Sequence, residues 1–69
     1  MNAKKEILKL DDGQCWIWPK SDYGRAEVWL KNGTYFLFEI PPYGGKPNYY
    51  RCYEVCQIDK LISTVRSWN

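Results

Sequence analysis

The side chains here that could carry chemistry are three cysteines, eight carboxylates and a set of aromatic and basic residues, with no histidine among them. Without histidine, Ser-His-Asp and Cys-His nucleophile arrangements are absent, as are zinc sites that mix Cys with His. Cys15, Cys52 and Cys56 contain no CxxC spacing. A site built from the three thiols and Asp59 is conceivable, but buried or inert thiols are the simpler reading, and neither metal nor cofactor is expected. An odd number of cysteines leaves one thiol outside any internal disulfide set, which points to a reducing cytoplasm. On one strand, Cys52 and Cys56 would lie about 13 Å apart, beyond a disulfide's reach, so only a turn over Tyr53 to Val55 would bring them together.

The carboxylates are Glu6, Asp11, Asp12, Asp22, Glu27, Glu39, Glu54 and Asp59. Asp11-Asp12 precedes Gly13 and reads as a turn, while Asp59 suits the positive end of a C-terminal helix dipole. Glu27 or Glu39 would have a raised pKa if it lay beside an aromatic cluster, although an exposed carboxylate is the plainer reading. An acid, a base and an orienting group cannot be assembled from this inventory, so an enzyme is not expected. Gly44-Gly45-Lys46 lacks the Ser or Thr of a phosphate-cradling motif and reads as a loop.

Aromatic and basic residues interleave at Trp16, Trp18, Lys20, Arg25, Trp29 and Lys31, and again at Tyr49, Tyr50, Arg51 and Tyr53. This pattern is similar to stacking platforms for single-stranded nucleic acid. Ten basic against eight acidic residues leave a net charge of only +2, which dilutes such a field. Nucleic-acid binding is therefore the alternative reading. Within the same stretch, CWIWPKSDYGR over Cys15 to Arg25 resembles the CWxW…GYGR opening of phage-type HNH endonucleases. The resemblance covers eleven residues. That family's catalytic and metal-binding histidines have no counterpart in the chain, so no nuclease activity and no site are carried over.

These side chains must be positioned by short elements. Arg25 to Ile40, RAEVWLKNGTYFLFEI, places Asn32-Gly33 between two apolar-rich runs. That is the strongest short-range hairpin signal, because both residues tolerate the positive φ of a type I′ turn. The turn sets a register in which Lys31 opposes Thr34, Leu30 opposes Tyr35, Trp29 opposes Phe36, Val28 opposes Leu37 and Glu27 opposes Phe38. One face then carries Val28, Leu30, Tyr35 and Leu37, and the other Trp29, Phe36, Phe38 and Ile40. An ordinary antiparallel sheet has one apolar face, so the second aromatic face is either sealed or left for a partner.

Elsewhere, Lys5 to Leu10 reads as a short strand leading into the Asp11-Asp12-Gly13 turn. Cys15 to Trp18 reads as a strand stopped by Pro19. Pro41 to Asn48 is a loop. Tyr49 to Val55 alternates as a strand, with Tyr49, Arg51, Tyr53 and Val55 on one side and Tyr50, Cys52 and Glu54 on the other. Ile58, Leu61, Ile62, Val65 and Trp68 recur at helical spacing over Gln57 to Trp68, with Lys60, Ser63, Thr64, Arg66 and Ser67 facing outward. Sixty-nine residues make one domain over 1–69, since a chain this short buries only about 60% of its unfolded surface. No segment reads as a membrane span or an export signal.

The expected fold is α+β: an antiparallel sheet of four to five short strands with one C-terminal helix packed on one face. Its expected core is Ile17, Val28, Leu30, Leu37, Val55, Ile58, Leu61, Ile62 and Val65. The expected function is a small non-enzymatic binding module acting through protein contacts, as a homodimer or as a regulator of a larger partner. Its partner-binding residues would be Trp29, Phe36 and Phe38, with Trp16, Trp18 and the loop residue Tyr43. A compact cytoplasmic chain of this size also fits a phage or mobile-element product that inhibits a host factor.

Overall fold

The Asn32-Gly33 turn organises the molecule: φ is 52° at Asn32 and 72° at Gly33, the positive values that a type I′ hairpin needs. On either side, β2 (Ala26–Lys31) and β3 (Thr34–Glu39) pair antiparallel from Lys31 opposite Thr34 to Ala26 opposite Glu39, in the register read from the sequence. A computed structural model describes residues 3–18, 26–41 and 45–68. It adds β1 (Cys15–Ile17) beside β2 and β4 (Asn48–Glu54) beside β3, so the four strands form an antiparallel meander in chain order. The Cα radius of gyration, 11.0 Å, is about that of a folded chain of this length.

The N-terminal segment is a helix and not the expected strand: α1 spans Ala3–Leu8. Ala3 and Ile7, four residues apart, are both buried while Lys5 between them is exposed, which fits a helical turn and not the period-two alternation of a strand. Reading the segment from Lys5 onward leaves Ala3 out of that stripe. The following turn is held by the Asp11 amide donating to Gln14 Oε1 (2.9 Å) and the Gln14 amide donating to the Asp11 carbonyl (3.0 Å). Gly13, at φ 88°, then lets its own amide reach the Leu30 carbonyl at 2.7 Å. The Asp12 carboxylate accepts the Asn32 amide at 2.5 Å, tying this turn to the tip of the hairpin.

After β4 comes a 3₁₀ turn, Val55–Gln57, and then α2, Ile58–Arg66. Ile58, Leu61, Ile62 and Val65 are all buried, as their spacing predicts. Thr64 is half-buried, not outward-facing. Its hydroxyl donates to the Lys60 carbonyl (2.9 Å) and lies 2.8 Å from the Tyr53 hydroxyl. Since the Thr64 proton is spent on Lys60, Tyr53 is the donor to Thr64, and the bond joins β4 to α2. Lys4 of α1 pairs with Asp59 of α2 at 2.9 Å.

Both helices contribute to a single core on one side of the sheet, with Ala3, Ile7, Trp18, Ala26, Val28, Tyr35, Leu37 and Tyr53 joined to the α2 stripe. Two expected core residues are absent from it. Ile17 is 55% exposed and Val55 40% exposed, while Leu30 is only partly buried against the cluster. Ile17 fails because β1 pairs Cys15 with Trp29 and Trp16 with Val28, which turns Trp16 inward and Ile17 outward. In a run as uniformly apolar as CWIW, alternation cannot choose between the two faces. Val55 fails because it begins the 3₁₀ turn instead of ending the strand.

A second correction concerns β4. Its pairing with β3 shifts between Leu37 and Phe38: Leu37 lies opposite Arg51, but Phe38 lies opposite Tyr49. Tyr50 is therefore the extra residue of a β-bulge. Strict alternation grouped Tyr49 with Tyr53; the bulge moves Tyr49 to the opposite face. It also turns Tyr50 toward the C-terminus, where its ring meets Trp68 edge-on at 5.2 Å.

Candidate interaction face

The side of the sheet away from the helices is built as three cross-strand rows. Pairing places Cys15, Trp29, Phe36 and Cys52 side by side in the central row. One flanking row is Ile17, Glu27, Phe38 and Tyr49. The other, toward the hairpin tip, is Lys31, Thr34 and Glu54. Neither helix covers these rows, and they retain large accessible side chains: Trp29 is 39% exposed and Tyr49 57% exposed. All three cysteines are free and exposed rather than buried, and two of them end the central row.

Local contacts hold the face in shape. Trp29 Nε1 donates to the Glu27 carboxylate two residues back on the same strand face. The rings of Phe38 and Tyr49 meet edge to face, 5.7 Å between centroids. A hydrogen bond with Cys52, helped by partial desolvation, holds the Tyr49 phenol above its ordinary pKa. Between the rows lies an open recess of about 480 Å³ lined by Gly13, Trp29, Lys31, Phe36 and Phe38. Gly13 contributes no side chain at its rim, and a Cβ there would meet open space.

Of the six residues singled out from the sequence, the structure brings three together: Trp29, Phe36 and Phe38 share this face. Trp16 and Trp18 do not join them. Trp18 is 1% exposed within the core, and Trp16 packs edge-on against it at 4.8 Å on the helix side. Their assignment to a partner surface gives way to the β1 register that also displaced Ile17. Tyr43 lies outside the described residues, as do Lys20, Arg25 and Gly44. Sequence reasoning missed Ile17, Tyr49, Lys31 and Gly13 as members of the face. The first two depend on a pairing register and a bulge that leave no mark in the local alternation.

Chemically, the face offers apolar contact more than reactivity. Glu27 lies on it, whereas Glu39, opposite Ala26, belongs to the helix side, so the two hairpin carboxylates do not converge. Arg51, opposite Leu37, also belongs to the helix side. Among the described residues the face thus carries one cation, Lys31, against two acids, Glu27 and Glu54. Among those residues no group of three or more Cys, Asp or Glu gathers to form a cation site, and no helix is long and apolar enough to cross a membrane. Comparisons of the chain with protein-family models, with curated proteins and with solved structures return no match.

Proposed function

We propose that this protein is a non-enzymatic binding module of the cytoplasm that docks a protein surface on the uncovered face of its sheet. The observation that carries the reading is the asymmetry of the sheet: both helices pack on one side, while Ile17, Trp29, Phe36, Phe38 and Tyr49 stand together on the other. Apolar surface left in water forgoes about 25 cal/mol per Å², and a partner that covers it recovers that free energy. Trp and Tyr in particular supply large contact area at small entropic cost and dominate binding energy at protein interfaces. Among the described residues, one lysine against two carboxylates makes no field for a phosphate backbone, which favours protein over nucleic acid as the partner. Three exposed thiols without a disulfide suit a reducing compartment.

The test is site-specific photocrosslinking in the native cell, with a benzophenone side chain in place of Trp29 or, on the outer side of α2, of Lys60. The reading expects discrete protein adducts from position 29 and none from position 60. Equal labelling at both positions, or nucleic-acid adducts from position 29, would refute it.

A further inference from the structure

The uncovered face is complementary to itself under one particular two-fold rotation, and we infer that the protein it docks is a second copy of this chain. This rests on the face being a docking surface and adds the identity and orientation of what docks. The axis lies between the two facing sheets, perpendicular to the strands and over the central row. That row then meets its own copy, Trp29 on the partner's Trp29 and Phe36 on the partner's Phe36, and the two flanking rows exchange places.

The exchange matches unlike groups. Glu27 and Lys31 are equally far from Trp29 on opposite sides along β2, so Glu27 of each copy faces Lys31 of the other, and the pair forms twice. Within one chain these residues lie about 13 Å apart along the strand, too far to pair. Ile17 comes over the partner's recess at Gly13, where no side chain competes for the space. Phe38 comes over the partner's Thr34, large against small. The rival two-fold, parallel to the strands between β2 and β3, sets Glu27 on the partner's Phe38 and Lys31 on the partner's Thr34. It leaves both charges without a counterpart, and the charge pattern selects the first axis.

The area sets the strength. Strands of three, six, six and seven residues, at about 3.3 Å per residue and about 4.8 Å between strands, give roughly 350 Å² per protomer, about 700 Å² across the pair. This lies at the weak end of specific interfaces, and the expected dimer forms in the micromolar range or above.

Sedimentation equilibrium from low micromolar to millimolar concentration is the first test, with Lys31→Glu, Glu27→Lys and the double swap. Each single charge reversal weakens association by about tenfold or more, and the double swap restores most of it, because only pairing between copies can be rescued in this way. The second test fixes the axis on a Cys56→Ser background that keeps only Cys15 or only Cys52. Facing sheets stand about 10 Å apart, more than the ~7 Å Cα limit of a disulfide, so a short bismaleimide is the reagent. Each single-cysteine protein crosslinks with itself under the proposed axis. Crosslinking only when the two proteins are mixed would overturn that axis, and an unrescued double swap would overturn the charge pairing. A strict monomer at millimolar concentration overturns the dimer: if the position-29 photoprobe still captures protein, the docking face survives with another partner, and if the probe is silent both readings fall.

Discussion

Two tryptophans with the same chemistry should respond in opposite ways to truncation. Trp18 is 1% exposed in the core, and Trp29 is 39% exposed on the uncovered face. A buried tryptophan removes about 150–250 Å² from water, which at about 25 cal/mol per Å² is roughly 4–6 kcal/mol. Trp18→Ala forfeits most of that and leaves a void in the core that rigid neighbours fill only in part, so a loss of about 4–5 kcal/mol is expected. A chain of this length has roughly 3–10 kcal/mol of total stability, of which Trp18→Ala removes a large share. Trp29→Ala opens no enclosed void, and with 39% of the residue already in water its loss should be about 2–3 kcal/mol. Urea unfolding followed by far-UV circular dichroism measures both, with Trp18→Phe as a graded variant expected to cost about 1–2 kcal/mol while keeping the fold. If Trp18→Ala and Trp29→Ala cost the same within about 1 kcal/mol, the inward turn of Trp16 and Trp18 is wrong, and the uncovered face with it.

The bond from Tyr53 to Thr64 should be worth about 1 kcal/mol. Tyr53→Phe and Thr64→Val each lose that amount in urea, and the double variant loses clearly less than their sum. Burial raises the Tyr35 phenol above its ordinary value, and the Tyr49 phenol is raised as well. The fold therefore favours their protonated forms, and stability is retained below about pH 10 and falls as pH climbs from there through the folded values. Tyr35→Phe should shallow that alkaline loss, as read by urea midpoints on either side of pH 10. Cys15, Cys52 and Cys56 should all react with an aromatic disulfide reagent in native buffer, and a thiol that reacts only after unfolding contradicts its exposed position.

Local chemistry made the hairpin and the second helix legible. Asn32-Gly33 demands positive φ at two successive residues, and few other structures use that pair, so the β2·β3 register followed by counting. The stripe from Ile58 to Val65 has one periodicity and one packing solution. What stayed hidden depends on pairing between segments distant in sequence. The face on which Trp16, Ile17 and Trp18 fall is set by where β1 meets β2, through Gly13 to Leu30 and Asp12 to Asn32. Likewise, nothing around Tyr50 announces a bulge, because its neighbours alternate as well without one. The same two events decide membership of the candidate face: Trp29, Phe36 and Phe38 were legible because the turn places them, whereas Tyr49 and Ile17 were not.

The bulge in β4 has a bearing on crowding in the cell. With β1 only three residues long, β4 is, among the described residues, the longer outer border of the sheet, seven residues with no further strand on its outer side. A straight border of that length is a template onto which further strands can zip without limit, ending in fibres. The extra residue at Tyr50 breaks the regular spacing of amides and carbonyls partway along, so an incoming strand finds only short in-step stretches on either side. Growth at the border is frustrated, while under the two-fold proposed above contact across the aromatic surface closes after two copies. The molecule is biased toward assemblies that terminate.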